Sequence, residues 1–149
     1  MKILFICRAN VERSRFAALY YNSMTGTKDA SSAGTSINEL DLKDKTIERI
    51  SVEKNKKIDP PSVKISIKTM KKNGFDTSDS KPIQLTKEMT DRADNLISFV
   101  DKEALPSYVD MKKVIFWKVD DQSNCSYKSH LGAIEEIRRL VNNFIKNGK

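Results

Sequence analysis

The chain has 149 residues and carries 27 Lys plus Arg against 20 Asp plus Glu, which gives a formal net charge of +7. This length predicts one domain with a core of its own, and the only two cysteines, Cys7 and Cys125, exclude a disulfide framework and a zinc ribbon. The single histidine, His130, argues against a His-rich metal site and against a Ser-His-Asp triad.

No run of apolar residues approaches the ~20 that cross a bilayer. The apolar N-terminal stretch ends at Arg8 and is too short for the core of a signal peptide. We therefore expect a cytoplasmic protein with reduced thiols and no membrane contact. The basic excess favours anionic partners. Lysines of residues 43–72 are interleaved with Asp and Glu instead of aromatic residues, which favours a solvated face over nucleic-acid binding.

The first half of the chain alternates strand and helix patterns. Residues 2–6 form an apolar run typical of a buried parallel strand, and residues 30–34 predict a second strand. Between them, from Ser14 to the stop at Gly26, apolar residues recur at helical spacing. The predicted inward face of this helix comprises Phe16, Ala17, Tyr20, Tyr21 and Met24.

Residues 38–57 are dense in charge and predict neither a helix nor a strand. The Asp-Pro-Pro sequence of residues 59–61 closes this stretch, which interrupts an otherwise regular alternation. We therefore expect a single domain over residues 1–149, with residues 38–57 as a charged insertion.

The second half continues the alternation. Residues 62–73 predict a helix that ends at Gly74, and residues 86–93 predict a short helix with Thr86 as its cap. Residues 95–100 and 113–117 are candidate buried strands, with Trp117 in the core. The two longer helices of this half have predicted inward faces formed by Val63, Ile67 and Met70 and by Leu131, Ile134, Ile137, Val141 and Phe144.

This order predicts an α/β fold: a three-layer, doubly wound sheet of about four parallel strands with flanking helices. Ligands of such sheets bind at the carboxyl ends of the strands, where the chain turns into a helix. The first such turn contains residues 7–14, and the last follows Trp117. Catalytic or ligand-binding residues are therefore expected at these two turns.

Residues 7–14, the Cys7 loop, carry the spacing Cys-x5-Arg-Ser between a strand and a helix. Unpaired N–H groups and the helix dipole favour the thiolate of Cys7, and the five intervening residues can curl around one anion. Arg13 supplies a planar fork for two phosphate oxygens, and Ser14 can donate to the thiolate. The alternative is a buried Cys7 that ends a strand and a solvated Arg13.

At this point the sequence resembles the low-molecular-weight protein tyrosine phosphatase family, which shares its fold with thioredoxin-coupled arsenate reductases. The resemblance covers most of the chain apart from residues 38–57. It rests on residues 3–7 followed by Asn10, on Arg13-Ser14 with Ala17, and on three later segments at residues 32–35, 70–76 and 93–94.

The resemblance implies a phosphatase of phosphotyrosine proteins or small aryl phosphates, without metal or cofactor, that acts as a monomer through a cysteinyl-phosphate. It implies Cys7, Arg13 and Asp121 as catalytic residues, with Asp120 as the alternative acid. Because paired aspartates repel, we expect one of them to keep its proton. The expected substrate-binding residues are Arg8, Ala9, Asn10, Val11, Glu12, Arg13 and Ser14.

The chain departs from the family pattern at three positions, which bear on the choice of substrate and on the rate of catalysis. Ala9 stands at a glycine position, where a positive φ would cause strain. Glu12 replaces the second loop cysteine, and its charge opposes both a thiolate and a phosphate. We expect Arg8 or Arg15 to offset Glu12, or Glu12 to point outward. Gln122 replaces a proline.

Two alternatives stay open at this stage. One is arsenate reduction on the same loop, with Cys125 as a resolving thiol, although the chain lacks the cysteine pair of the thioredoxin-coupled reductases. The other is a weakly active phosphate-binding module. We expect Cys125 to be a spare thiol and His130 to be a surface residue.

Overall fold

The computed structural model describes residues 1–148 and contains one sheet of four parallel strands, which confirms the predicted fold class. The strands are β1 (Ile3–Cys7), β2 (Ala30–Gly34), β3 (Asn95–Ser98) and β4 (Val114–Phe116), in the spatial order β2-β1-β3-β4. In this register, Ile3 pairs with Ala30 on one side and with Asn95 on the other. Strand β1 is therefore central, and its carboxyl end lies between neighbours.

Five α-helices connect and flank the strands: α1 (Arg13–Thr25), α2 (Ile47–Val52), α3 (Pro60–Lys72), α4 (Lys87–Arg92) and α5 (Tyr127–Asn147). Four of them begin at side-chain caps, because the side chains of Thr46, Asp59, Thr86 and Ser126 each accept a hydrogen bond from the N–H three residues later. The predicted cap at Thr86 is confirmed.

The alternation of β1 side chains defines the three layers. Ile3 and Phe5 belong to a core shared with α1 and α5, whereas Leu4 and Ile6 belong to a second core on the opposite face. All residues of β1 are buried, as expected for a parallel strand covered by helices on both sides. Trp117 packs in the first core, as predicted.

Residues 38–57 contain α2, although no helix was predicted there. Leu40 and Leu42 precede the helix, Ile47 and Ile50 lie on it, and all four are buried in a third core that includes Val11 of the Cys7 loop. The high density of charge hides these apolar positions in the sequence. The segment therefore supports one side of the Cys7 loop.

Smaller differences concern the ends and faces of elements. Met24, predicted on the inward face of α1, is 56% exposed, because it lies in the last turn beyond the edge of the sheet core. The predicted strands at residues 95–100 and 113–117 are shorter in the structure. Within residues 1–148 no helix is both long and apolar enough to cross a membrane.

Candidate active site

Cys7 is the last residue of β1, and its side chain is buried. The Sγ atom lies 2.9 Å from Ser14 Oγ in the first turn of α1 and accepts a hydrogen bond from the Asn10 N–H at 3.3 Å. The sulfur is therefore in contact with one backbone N–H donor and one hydroxyl group. The parallel strand and the helix that follows it therefore place a thiol among hydrogen-bond donors, as the sequence predicts.

The backbone of the Cys7 loop is arranged for an anion. The N–H groups of Ala9, Val11 and Glu12 donate no hydrogen bond to another residue within the described part of the chain. Such amides ahead of a helix form an anion-binding site. The expected strain at Ala9 is absent from its backbone: the loop residue with a positive φ is Asn10, at 55°. Asparagine adopts this conformation more readily than other residues with a Cβ.

Asn10 organises the interior of the loop. Its side-chain amide donates to Ser14 Oγ at 2.8 Å and to Ser32 Oγ at 2.9 Å. Its Oδ1 accepts from the Arg15 guanidinium at 2.8 Å and from the Ile83 N–H at 3.0 Å. The side chain is fully buried with its donors and acceptor satisfied. Asn10 is thus a structural centre beneath the loop, between β2 and α1, and does not line the cleft.

Gly34 at the end of β2 allows the loop to approach the neighbouring strand. A Cβ at this position would lie 2.7 Å from the carbonyl oxygen of Arg8, closer than real Cβ contacts. The adjoining backbone ties the two segments together, because Thr35 N–H donates to the Cys7 carbonyl and Ser36 N–H donates to the Arg8 carbonyl. The sequence patterns above indicate no role for Gly34; the signal for one is a glycine at the end of a predicted strand.

Arg13 is oriented by the ends of the two strands beyond β1. Its guanidinium donates to the carbonyl of Phe99, after β3, at 3.2 Å and to that of Val119, after β4, at 3.0 Å. It also forms an ion pair with Asp121 at 3.6 Å. The side chain is 9% exposed. The arginine is therefore fixed over the Cys7 loop by residues some 100 positions away in sequence, and the solvated alternative is wrong.

Asp121 follows β4 in the Asp121 loop (residues 118–126). Burial raises the pKa of its carboxyl, but the hydrogen bonds from the Ser123 hydroxyl and N–H, together with the charges of Arg13 and Arg8, lower it by more. The net result is a pKa below the usual aspartate value. Without a ligand, Asp121 is therefore ionised at neutral pH, and the expectation of a retained proton is wrong for this residue.

The two candidate acids differ in position. Asp121 lines the same cleft as Cys7, whereas Asp120 lines a neighbouring, larger groove with Phe99 and Phe116. Gln122, at the expected proline position, donates from its amide to the Asp120 carbonyl at 2.8 Å and so closes a local turn. The geometry therefore favours Asp121 over Asp120.

Glu12 and His130 are placed differently from what the sequence predicts. His130 is 1% exposed and Glu12 is 8% exposed, and the His130 Nδ1 atom lies 2.8 Å and 3.0 Å from the two carboxylate oxygens. In residues 1–148, neither Arg8 nor Arg15 forms an ion pair with Glu12, whose side chain is buried and does not point outward. No sequence pattern predicts this pair, because its members are 118 residues apart.

The cleft above the Cys7 loop has a volume of about 40 Å³. One water needs ~10–15 Å³ on this scale, so the cleft accommodates a group of a few heavy atoms, such as a phosphoryl group. Of the predicted site residues, Asn10 and Ser14 lie beneath the cleft, and those that line it are Cys7, Arg8, Ala9, Val11, Glu12, Arg13 and Asp121.

Cys125 is half-buried in the Asp121 loop and does not line this cleft. Its Sγ donates a long hydrogen bond of 3.6 Å to the Ser123 carbonyl. No second cysteine therefore stands in the cleft with Cys7.

No family model matches the chain, and no curated protein matches it. Several solved structures are similar to the chain. The Vibrio vulnificus protein Wzb in complex with benzylphosphonate superimposes with a TM-score of 0.75 at 18% identity over 97% of both chains. The low molecular weight protein tyrosine phosphatase from T. tengcongensis gives 0.70 at 21% over 98% of both.

A third similar structure is the YwlE arginine phosphatase from Geobacillus stearothermophilus, with a TM-score of 0.67 at 18% identity over 97% of this chain and 90% of that one. All three comparisons span nearly the entire chain. The protein therefore has the fold of the low-molecular-weight protein tyrosine phosphatases, as the resemblance in its sequence implied.

Proposed function

We propose that this protein is a cysteine-dependent phosphatase of phosphotyrosine proteins or small aryl phosphates. One observation carries the proposal: Cys7, Arg13 and Asp121 line a single cleft of phosphoryl size, although Asp121 comes from a loop far from the other two in the sequence. Similar structures bind oxyanions or their analogues, since Wzb proteins are described in complex with benzylphosphonate and with sulphate. Phosphate is the corresponding group of the substrate.

The reaction has two steps. The Cys7 thiolate attacks phosphorus, the phosphorus–oxygen bond to the leaving phenol breaks, and Asp121 gives its proton to the phenolate oxygen. Water then attacks the cysteinyl-phosphate and loses its proton to Asp121, and the sulfur–phosphorus bond breaks to release phosphate. Arg13 and the loop N–H groups hold the equatorial oxygens in both steps.

The ionised state of Asp121 in the free protein is compatible with this role. A bound phosphate dianion opposes the carboxylate charge and competes for Arg13, and both effects raise the pKa of Asp121. Binding of the substrate is therefore coupled to the uptake of one proton by Asp121. This coupling limits the protonated form to the complex in which it is needed.

An aryl leaving group fits the cleft better than an arginyl group. Val11, Ile58 and Val63 contribute apolar walls. A guanidinium needs acceptors, and the Glu12 carboxylate is already paired with His130. Phosphoarginine nevertheless belongs in the assay, because similar structures include arginine phosphatases.

The test measures turnover of p-nitrophenyl phosphate, a phosphotyrosyl peptide and phosphoarginine by the wild type and by Cys7→Ser. We expect aryl phosphate hydrolysis that falls by at least about 10⁴-fold in Cys7→Ser. Rapid denaturation during turnover should trap one phosphate on Cys7. A wild type without hydrolysis, or an active Cys7→Ser variant, contradicts the proposal. Because the mechanism needs a free thiol, the protein should act in a reducing compartment such as the cytoplasm.

A further inference from the structure

Glu12 and His130 form a buried pair in the wall of the Cys7 cleft. Glu12 directly precedes Arg13, and His130 lies in the first turn of α5, where its N–H donates to the Ser126 carbonyl. The ring nitrogen Nδ1 lies within 3.0 Å of both carboxylate oxygens. A negative charge has therefore been placed beside the arginine that holds phosphate, at a position where an uncompensated charge would oppose the ligand.

The hydrogen bonds of the pair determine its net charge. The single hydroxyl proton of Ser62 is donated to the Gln122 carbonyl at 3.2 Å. The oxygen of Ser62 is then free to accept a hydrogen bond from a proton on His130 Nε2, 3.4 Å away. On the other side of the ring, Nδ1 can share a proton with the Glu12 carboxylate. An imidazole that donates from both ring nitrogens cancels the charge of that carboxylate.

Two arginines near Glu12, Arg13 and Arg15, have other partners. Arg15 donates to the carbonyl and side-chain oxygens of Asn10 and to the Lys81 carbonyl. Arg13 donates to two backbone carbonyls and pairs with Asp121. Among the described residues, the ion pair of Glu12 is therefore with His130 and with no arginine.

We propose that His130 is a positioning residue that cancels the charge of Glu12 and so permits the Cys7 loop to hold a doubly charged oxyanion. This inference rests on the proposed function, since it concerns the same loop, but it predicts binding and not only turnover. It also predicts an asymmetry between the partners. Removal of His130 leaves a buried negative charge beside the ligand, whereas removal of the Glu12 charge leaves a neutral imidazole.

The experiment measures the affinity for inorganic phosphate by calorimetry for the wild type, His130→Asn, Glu12→Gln and the double variant. The Asn amide can still donate near the Nδ1 position but carries no charge. We expect His130→Asn to weaken phosphate binding about 10- to 100-fold, from charge repulsion in a partly buried site. Glu12→Gln should remain within about threefold of the wild type. The control Lys128→Asn removes an exposed charge from the same helix turn and should have no effect.

The double variant separates charge from structure. If repulsion by Glu12 weakens binding, Glu12→Gln in the His130→Asn background should restore the affinity to within a few-fold of the wild type. A merely structural pair would instead give two weakened single variants and a double variant that is no better than either. That result, or unchanged binding by His130→Asn, overturns the proposal.

If His130→Asn does not fold, Glu12→Gln decides alone, because a loss of affinity above about tenfold in this variant contradicts charge cancellation. A wild type that binds phosphate but hydrolyses no aryl phosphate would refute the proposed function and leave this inference testable. A wild type that does not bind phosphate refutes both.

Discussion

Cys7 and Asp121 line one cleft, but their surroundings differ. Cys7 ends the central strand β1, is 3% exposed, and is contacted by the Asn10 N–H and the Ser14 hydroxyl, which are held by further buried groups. The Asp121 side chain follows the edge strand β4, is 42% exposed, and is held by Ser123 and Arg13. The nucleophile is thus positioned by buried neutral hydrogen bonds, whereas the acid is positioned by a local turn and by charge. Substitutions around Cys7 should therefore lower both stability and activity, whereas substitutions around Asp121 should lower activity alone.

Among substitutions that keep the Cys7 nucleophile, Asp121→Asn should have the largest effect. We expect kcat for phenyl phosphate to fall by about 10²- to 10³-fold, because a poor leaving group needs the proton. With p-nitrophenyl phosphate, whose leaving group is stable as an anion, the loss should be much smaller. Steady-state kinetics with both substrates measure this difference, and the thermal midpoint should stay close to that of the wild type.

The matched control is Asp120→Asn, which removes a carboxylate charge from the preceding residue and should change kcat less than about threefold. A larger loss in Asp120→Asn than in Asp121→Asn would assign the acid to Asp120.

Asn10→Ala tests the buried surroundings of Cys7. It removes four side-chain hydrogen bonds from a buried site, and we expect the free energy of unfolding to fall by about 2–4 kcal/mol. Displacement of the loop should lower kcat/KM by about 10- to 100-fold. Urea unfolding and kinetics with p-nitrophenyl phosphate provide the two measurements.

The variant Asn10→Gly distinguishes hydrogen bonds from backbone conformation. Glycine accepts the φ of 55° without strain, so this variant should recover about 1 kcal/mol relative to alanine but not the activity. Equal stability of the two variants would show that the left-handed backbone contributes nothing.

Gly34→Ala tests the close approach of β2 to the loop. The added Cβ meets the Arg8 carbonyl at 2.7 Å, so we expect a loss of about 1–3 kcal/mol in stability and of roughly tenfold in kcat/KM. Gly132→Ala on α5 is the control, since no heavy atom lies within 4 Å of its added Cβ. That helical substitution should stabilise the protein by about 0.5–1 kcal/mol. Similar responses of the two variants would contradict a specific role of Gly34.

Ser123→Ala should give the smallest effect and sharpen the description of Asp121. Loss of the Ser123 hydroxyl bond raises the pKa of Asp121, so the carboxyl keeps its proton to higher pH. The alkaline limb of the kcat profile should therefore move towards higher pH, with a change of maximal kcat below about threefold. A shift towards lower pH, or no shift, would show that another group controls this limb.

The sequence by itself determined the alternation of strands and helices, the position of Cys7 at a strand end and the spacing to Arg13. These features are local: an apolar run, a helical period and a five-residue loop are readable from neighbours in the chain. The same locality explains the error at residues 38–57, where exposed charges outnumber the four buried apolar residues that anchor α2.

Only the tertiary structure decided how the site is held together. The carbonyls that orient Arg13, the Ser32 and Ile83 contacts of Asn10, and the Glu12–His130 pair all join residues that are at least 22 positions apart. A parallel sheet brings the ends of distant strands to one edge, so partners at that edge share no spacing in the sequence. The sequence shows the negative charge of Glu12 next to a phosphate-binding arginine, but it does not show that His130 of the last helix is the partner of this charge.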